Sequence, residues 1–478
     1  MLPQRQPDLC LVFMKLKGNC HTGVTRALHE RDIEIQGDLM FRTLSFSMLA
    51  FAASFGAAQA QTEIQWWHAM GGELGAKLEE IVAGYNASQS DYKVVPTYKG
   101  NYAETMTAAI AAFRAGEQPD IVQVFEVGTG TMMAAEGAIY PVYQLMADMK
   151  EPFDPKGFLP AVVGYYTDTD GNMLSMPFNS STPILYYNKD VFAKAGLDPE
   201  TAPKTWGDVE AFSAKIMETG AAKCGFTTGW ISWVQLENLS AWHNQPIGTL
   251  ENGFGGLETE LTVNGPVQAK HWENLAKWQK NGVFQYGGPG GGADSAPKFY
   301  AQECAMYMNS SASRAGVMAN AKDFSVGFGM LPYYEDVQGA PQNSIIGGAT
   351  LWVLQGKPAE DYKGVADFFS YLSSPEVQAD WHQFSGYLPI TAAAYELGKS
   401  QGYYEQNPGS DIAIKQVTLN APTPNSKGLR FGNYVQIRAI IDEEFQRLLS
   451  GEVDAQGALD SLVKRGNELI REFEAANG

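Results

Sequence analysis

Residues 176–192 read MPFNSSTPILYYNKDVF. Asn179, Ser180, Ser181 and Thr182 place an amide and three hydroxyls between two prolines, and an apolar, aromatic run follows at once. A water-soluble chain can hide ILYY only inside a core. A strand therefore dives inward directly behind a dense set of hydrogen-bonding side chains, each of which needs a partner once water is gone. What that polar set serves has to be read from the segments around it.

Upstream, strand and helix patterns alternate. EIQWWH (63–68) reads as a strand, and GELGAKLEEIVAGYN as a helix, with Leu74, Leu78, Ile81, Val82 and Tyr85 on one face. DYKVVPTY is the next strand and AETMTAAIAAFRAG the next helix, with Gly116 as its stop. PDIVQVFEV is a short apolar strand of the kind buried on both faces. This alternation predicts βαβ units around a parallel sheet and an α/β fold. YYTDTDGNMLSMP (165–177) reads as a hairpin turning at Asp170-Gly171. Asp168, Asp170 and Asn172 imitate the start of a calcium loop, but its twelfth position is Asn179 where Glu is needed, and the flanks are not helical. Farther on, Thr205 stands as the N-cap of a helix carrying Trp206, Val209, Phe212 and Ile216. GGPGGGAD (287–294) is a flexible loop without the Gly-Lys-Ser/Thr of a phosphate-binding P-loop. Strands are expected in ECAMYMNSS, SVGFGMLPYY and NSIIGGATLWVL. A closing helix aligns Leu459, Leu462, Val463, Leu469, Ile470 and Phe473. No internal repeat or long linker stands out.

The first 60 residues differ from the rest. MFRTLSFSMLAFAASFGAAQA (40–60) has a basic start, an apolar middle and a small-residue Ala-Gln-Ala end, the layout of a cleavable export signal. Residues 1–39 are then an upstream extension of the reading frame, and the exported chain begins at Gln61. The apolar stretch is too short to span a bilayer, and no cysteine follows the cleavage site to take a lipid. Export would deliver a free periplasmic protein. The whole sequence carries a net charge of −19; removing a segment with six basic and five acidic residues leaves about −20, which disfavours nucleic acid and anionic lipid as partners. Of four cysteines, Cys10 and Cys20 fall in that leading segment. Cys224 and Cys304 remain, either as a disulfide suited to an oxidising compartment or as two buried thiols.

Catalytic signatures are scarce. His68, His243, His271 and His382 are not paired at metal-ligand spacing, and there is no G-x-S-x-G nucleophile elbow. Gly128-Thr129-Gly130 lacks the third glycine of a dinucleotide fingerprint. Glu79-Glu80 and Glu443-Glu444 read as solvated helix faces. A secreted hydrolase is the weak enzyme alternative; no metal or cofactor is expected. What recurs is a polar or aromatic residue where a buried element ends: Glu126, Ser310, Ser311, Gly347-Gly348, Tyr387 and Arg438. In open α/β sheets ligands bind beyond the carboxyl ends of strands, so the repetition favours one shared cleft.

The opening stretch, P-F-N-x4-I-L-Y-Y-N-K-D-V-F-A-K, resembles the signature of the extracellular solute-binding proteins of bacterial ABC importers, the maltose-binding-like group. Ile184 departs from that pattern, which takes a small residue or Val there. WWHAMGGELG, DYKVVPTYKGNY, FEVGTGTMMA, GLDPETAPKTW, APQNSIIGGATLWV, WHQFSGYLPIT and KGLRFGNYVQIR extend the likeness along 61–478, toward members of that family that carry glycerol phosphate. The resemblance implies a two-lobed α/β fold of the type II periplasmic binding class, with a ligand cleft between lobes joined by a hinge. Residues 61–175 and 347–395 would form lobe I, and 180–343 and 400–478 lobe II. Crossings are expected near 174–179, 345–348 and 395–405.

It also implies a non-catalytic, monomeric carrier that binds sn-glycerol-3-phosphate, and glycerophosphodiesters such as glycerophosphocholine, and delivers them to permease subunits at the inner membrane. The family's ligand contacts fall on Tyr102, Glu126, Ser181, Ser310, Gly348, Tyr387 and Arg438, with Ser311 or Ser313 as substitutes for Ser310. The chemistry of these residues suits that cargo. A guanidinium can meet two phosphate oxygens at once, hydroxyls and the Gly348 amide serve the others, and Glu126 would accept from glycerol hydroxyls. On this reading Arg438 is a lone cation ringed by uncharged donors. Trp230 and Trp233 are candidates for stacking on a quaternary ammonium. A maltose-like sugar held by Trp66, Trp67, Trp230 and Trp233 is the alternative ligand; Arg438 and Ser181 argue against it.

Overall fold

Eleven strands form two separate sheets in the computed structural model, which describes residues 61–135 and 137–478; the expected signal segment and upstream extension lie outside the described residues. The strands are β1 (Thr62–His68), β2 (Tyr92–Tyr98), β3 (Ile121–Phe125), β4 (Ile139–Tyr140), β5 (Met176–Ser181), β6 (Pro183–Asn188), β7 (Cys224–Thr228), β8 (Phe284–Tyr286), β9 (Cys304–Ser310), β10 (Val326–Gly329) and β11 (Gly347–Leu354). The first sheet runs β2-β1-β3-β11-β4, with β5 also paired to β11; the second runs β10-β6-β9-β7-β8. β1 is parallel to β2 and β3, and β7 to β8 and β9, as βαβ alternation requires. β11 lies antiparallel to β3, β4 and β5, and β6 antiparallel to β9 and β10, so both sheets are mixed instead of purely parallel. β6 and β11, the strands that run against the rest, are those by which the chain arrives from the other sheet, and they enter from the opposite direction.

Local sequence chemistry accounts for the elements that frame the cleft. Helix Tyr102–Ala115 starts on a capping box, with the Asn101 side chain accepting from Glu104 N and the Glu104 carboxylate accepting from Asn101 N, and stops at Gly116 in the left-handed region. Thr205 and Asp208 make the same box for helix Trp206–Glu218. The closing helix, Ala455–Asn477, buries Leu459, Leu462, Ile470 and Phe473, each contributing roughly 1.5–3 kcal/mol. It packs along helix Tyr434–Ser450 and so fixes the scaffold that carries Arg438. On that scaffold Glu444, expected on a solvated face, is buried and held by Arg447, Arg465 and Ser461.

The stretch 176–192 is where the two sheets meet. β5 belongs to the first sheet and β6 to the second, so the chain changes sheets at Thr182, slightly beyond the expected 174–179. All of β6 is buried, and so are Asn179, Ser180, Ser181 and Thr182. Asn179 accepts from Gln123 Nε2 at 2.8 Å and donates to the Tyr102 hydroxyl at 3.0 Å. Thr182 Oγ1 is 2.6 Å from Ser344 Oγ and 3.2 Å from the Ile345 carbonyl, and Gln416 donates to Ser344 Oγ and to the Pro183 carbonyl. Two of the four polar residues therefore bind one crossing segment to the next and to the sheet. The third expected crossing, 395–405, spans the end of helix Ala392–Ser400 and the turn after it.

The hairpin expected at 165–177 reduces to one bridge, Thr167 to Met173. Tyr165 and Tyr166 end helix Pro160–Tyr166 instead. Asp168 accepts from Asp170 N, Asn172 N and Asn172 Nδ2, which closes the turn on itself and leaves no ladder to extend. Cys224 and Cys304 sit opposite each other on parallel strands and form a disulfide, with Cα atoms 4.5 Å apart. No helix among the described residues is long and apolar enough to cross a membrane.

Candidate functional site

A cavity of about 630 Å³ opens between the sheets, and it is lined by Tyr102, Glu126, Ser181, Trp230, Trp233, Ser310, Gly348, Tyr387 and Arg438. These nine sequence-selected residues come from both sheets and from segments more than 300 residues apart. Glu126 follows the end of β3, Ser181 ends β5, Ser310 ends β9 and Gly348 opens β11. Ser313 also lines the cavity; the neighbouring Ser311 is buried, its hydroxyl without a partner among the described residues. Ser310 Oγ accepts from Ala312 N at 3.1 Å, so it caps the following turn while facing the cavity. Trp66, by contrast, is fully buried against Phe178 and Phe368, and Trp67 packs under Lys99, 3.8 Å from its ring. Neither is available as a cleft platform.

Gly348 has φ +98°, and a Cβ there would lie 1.9 Å from the Asn179 carbonyl oxygen on β5. The close approach that requires glycine is thus between two strands, at the irregularity in their pairing between Ala349 and Thr350. The glycine-rich loop 287–294 is packed in place: Trp230 N donates to the Gly290 carbonyl at 2.7 Å, and a Cβ on Gly291 would meet the Trp230 ring at 2.6 Å. The Trp233 indole N–H is buried without a partner among the described residues. Tyr102 stacks on Phe125 with ring centroids 5.3 Å apart, and Tyr387 on Trp381 at 5.5 Å. Burial raises both phenols above the ordinary tyrosine range, so both are hydroxyl donors at neutral pH.

Arg438 corrects the expectation of a lone guanidinium among uncharged donors. Its Nε donates to Glu237 Oε1 at 2.9 Å and its Nη2 to Glu237 Oε2 at 2.6 Å, a forked pair; Nη2 also reaches Glu126 Oε1 at 2.6 Å. All three side chains are buried. Burial opposes the arginine's charge, yet the carboxylates of Glu126 and Glu237 outweigh it and hold the guanidinium well above its usual range. Burial pushes Glu126 up, against the pull of Arg438 and with the help of the Glu237 charge. Among the described residues Nη1 is the guanidinium nitrogen left for a ligand, so the fork expected to meet phosphate is already occupied.

Glu237 was missed because it matches no motif; a single acid in the apolar run WISWVQLEN was the available signal. It sits at the end of a wide-turn helical segment, Trp233–Glu237, a geometry common near binding sites. Also missed was the start of helix Gly72–Ser88, whose Gly71 N-cap lacks a side-chain bond and whose first residues line the cavity, Glu73 among them. Its open N–H groups give that wall a partial positive charge, which Glu73 offsets.

Residues 80–409 match the family model described as bacterial extracellular solute-binding protein. The sn-glycerol-3-phosphate-binding periplasmic protein UgpB of Yersinia pseudotuberculosis is 53% identical over 90% of this chain and 97% of its own, and that of Pectobacterium atrosepticum 52% identical over 89% and 95%. Among solved structures, UgpB from Mycobacterium tuberculosis in complex with glycerophosphocholine superposes with a TM-score of 0.71 at 20% identity, covering 87% of this chain and 100% of that one. Together with the two sheets and the cavity between them, these likenesses establish a two-lobed binding-protein fold, and the chain belongs to the bacterial extracellular solute-binding proteins.

Proposed function

We propose that this chain is the periplasmic solute-binding component of a bacterial ABC importer, capturing sn-glycerol-3-phosphate, and glycerophosphodiesters such as glycerophosphocholine, and passing them as a monomer to permease subunits at the inner membrane. The observation that carries the reading is the gathering of Arg438, Tyr102, Ser181, Ser310 and Tyr387 on one cavity. A phosphate ester presents strong acceptors and negative charge; Arg438 Nη1 and the hydroxyls are the matching donors. Glu126 is the acceptor in that set and suits the glycerol hydroxyls. High identity to relatives named for sn-glycerol-3-phosphate supports the same cargo. The apolar walls formed by Trp230 and Trp233 suit a second ester arm. Residues 40–60 serve as the export signal in this reading, with lobe I formed by 61–175 and 347–395 and lobe II by 180–343 and 400–478. The work is capture and release without bond-making, and few charged contacts favour release.

Two tryptophans on the cavity make intrinsic fluorescence the direct test. Titration with glycerol-3-phosphate and glycerophosphocholine is expected to give saturable changes, and maltose none. A response to maltose alone overturns the ligand assignment, and chemical turnover of any of the three overturns the carrier role.

A further inference from the structure

Among the described residues, Arg438 is the single cation lining the cavity, whereas carboxylates reach it from two sides. Glu237 takes the Nε–Nη2 edge and Glu126 shares Nη2. Glu73 stands at the rim. The remaining titratable groups facing this cluster are Tyr102, Tyr165, Tyr166, Tyr387 and Tyr434, all held neutral by burial, and Asp442 one turn along the same helix. The guanidinium is therefore outnumbered before any ligand arrives. In a buried site each further negative charge is costly unless paired.

We propose that Glu237, by occupying one edge of Arg438, sets the cleft to accept a phosphate bearing a single negative charge. A phosphodiester meets that condition at any physiological pH. A phosphate monoester, whose second pKa is ~6, meets it only by carrying one extra proton into the complex. Glu237 is a positioning residue: it acts through Arg438 and does not line the cavity. The inference rests on the phosphate-ester reading given above and adds the charge state and the residue that selects it.

The test is isothermal titration of the full exported chain with sn-glycerol-3-phosphate and with glycerophosphocholine between pH 6 and 8. Linkage of one proton makes the monoester Kd rise about tenfold per pH unit above the phosphate pKa, while the diester Kd stays level. Glu237→Gln keeps the side-chain shape and removes the charge. It is expected to flatten the monoester slope and to shift the ratio of the two affinities at least about tenfold toward the monoester at pH 8, a step of ~1.4 kcal/mol. A monoester Kd that is level with pH in the unaltered protein overturns the inference without any variant. So does a Glu237→Gln protein that weakens both ligands equally, the mark of a structural role. If neither ligand binds at any pH, the phosphate-ester reading falls and takes this inference with it.

Discussion

Arg438 and its two carboxylates make the site an interlocked unit, and single substitutions there cannot be neutral to the fold. Removing the guanidinium leaves Glu126 and Glu237 facing each other with little solvent to screen them, Glu237 fully buried and Glu126 nearly so at the cavity wall. Breaking a buried ion pair in this way typically costs about 3–5 kcal/mol. Arg438→Ala is therefore expected to lose phosphate-ester binding and also several degrees of melting temperature. Combining Arg438→Met with Glu126→Gln and Glu237→Gln should restore the melting temperature without restoring binding. A single mutant that melts like the parent contradicts the buried triad. The sequence made the seven family positions legible because each lies in a distinctive local segment, such as FEVG, NSST or SGYLP. It hid the pairing of Arg438 with Glu237, 201 residues apart, because no local pattern encodes which acid an arginine will meet.

Strands and helices were readable wherever the determinant was local. The Asn101–Glu104 and Thr205–Asp208 boxes, the Gly116 stop and the nearly continuous apolar run of β3 each depend on neighbours in sequence. Strand direction was not readable, because β5 and β11 pair across roughly 170 residues and hydrophobic alternation is the same for either direction. That pairing is also where the backbone is least tolerant. Gly348→Ala puts a Cβ against the Asn179 carbonyl at a φ that L-residues avoid; a loss of about 2–4 kcal/mol in denaturant unfolding is expected, with ligand binding weakened because Ser181 lies in the register beside it. A mutant within about 0.5 kcal/mol of the parent contradicts the strand contact. The disulfide offers the opposite case. Cys304 begins β9 and Ser310 ends it, so the bond lies ~20 Å from the cavity end of that strand. Replacing both cysteines by alanine should cost about 2–5 kcal/mol of stability and leave the ligand Kd within a factor of about two. A large change in Kd contradicts that separation of roles.

At the scale of the whole molecule, stability is tied to pH by four buried imidazoles in three regions: His68 at the end of β1, His243 and His271 around Tyr334, and His382 beneath Tyr387. Burial lowers His68, His243 and His382 to about 4, and holds His271 well below its usual range. In the unfolded chain each accepts a proton near ~6.5. Between that value and about 4 the unfolded state holds more protons than the folded one, so stability is complete above ~6.5 and is lost as pH falls through this window. Two effects oppose the loss. Asp442 is raised to about 6 by burial, so its contribution runs the other way, and acid relieves repulsion across a surface with net charge −19. The first is one group against four, and the second is screened by salt, whereas protonation of a buried imidazole is not. Calorimetry in about 0.5 M salt should therefore show a melting temperature that is level above pH 7 and drops steadily from pH 6.5 to 4.5. A level melting temperature across that range would mean that the imidazoles are solvated in the folded protein and that their burial does not control its acid stability.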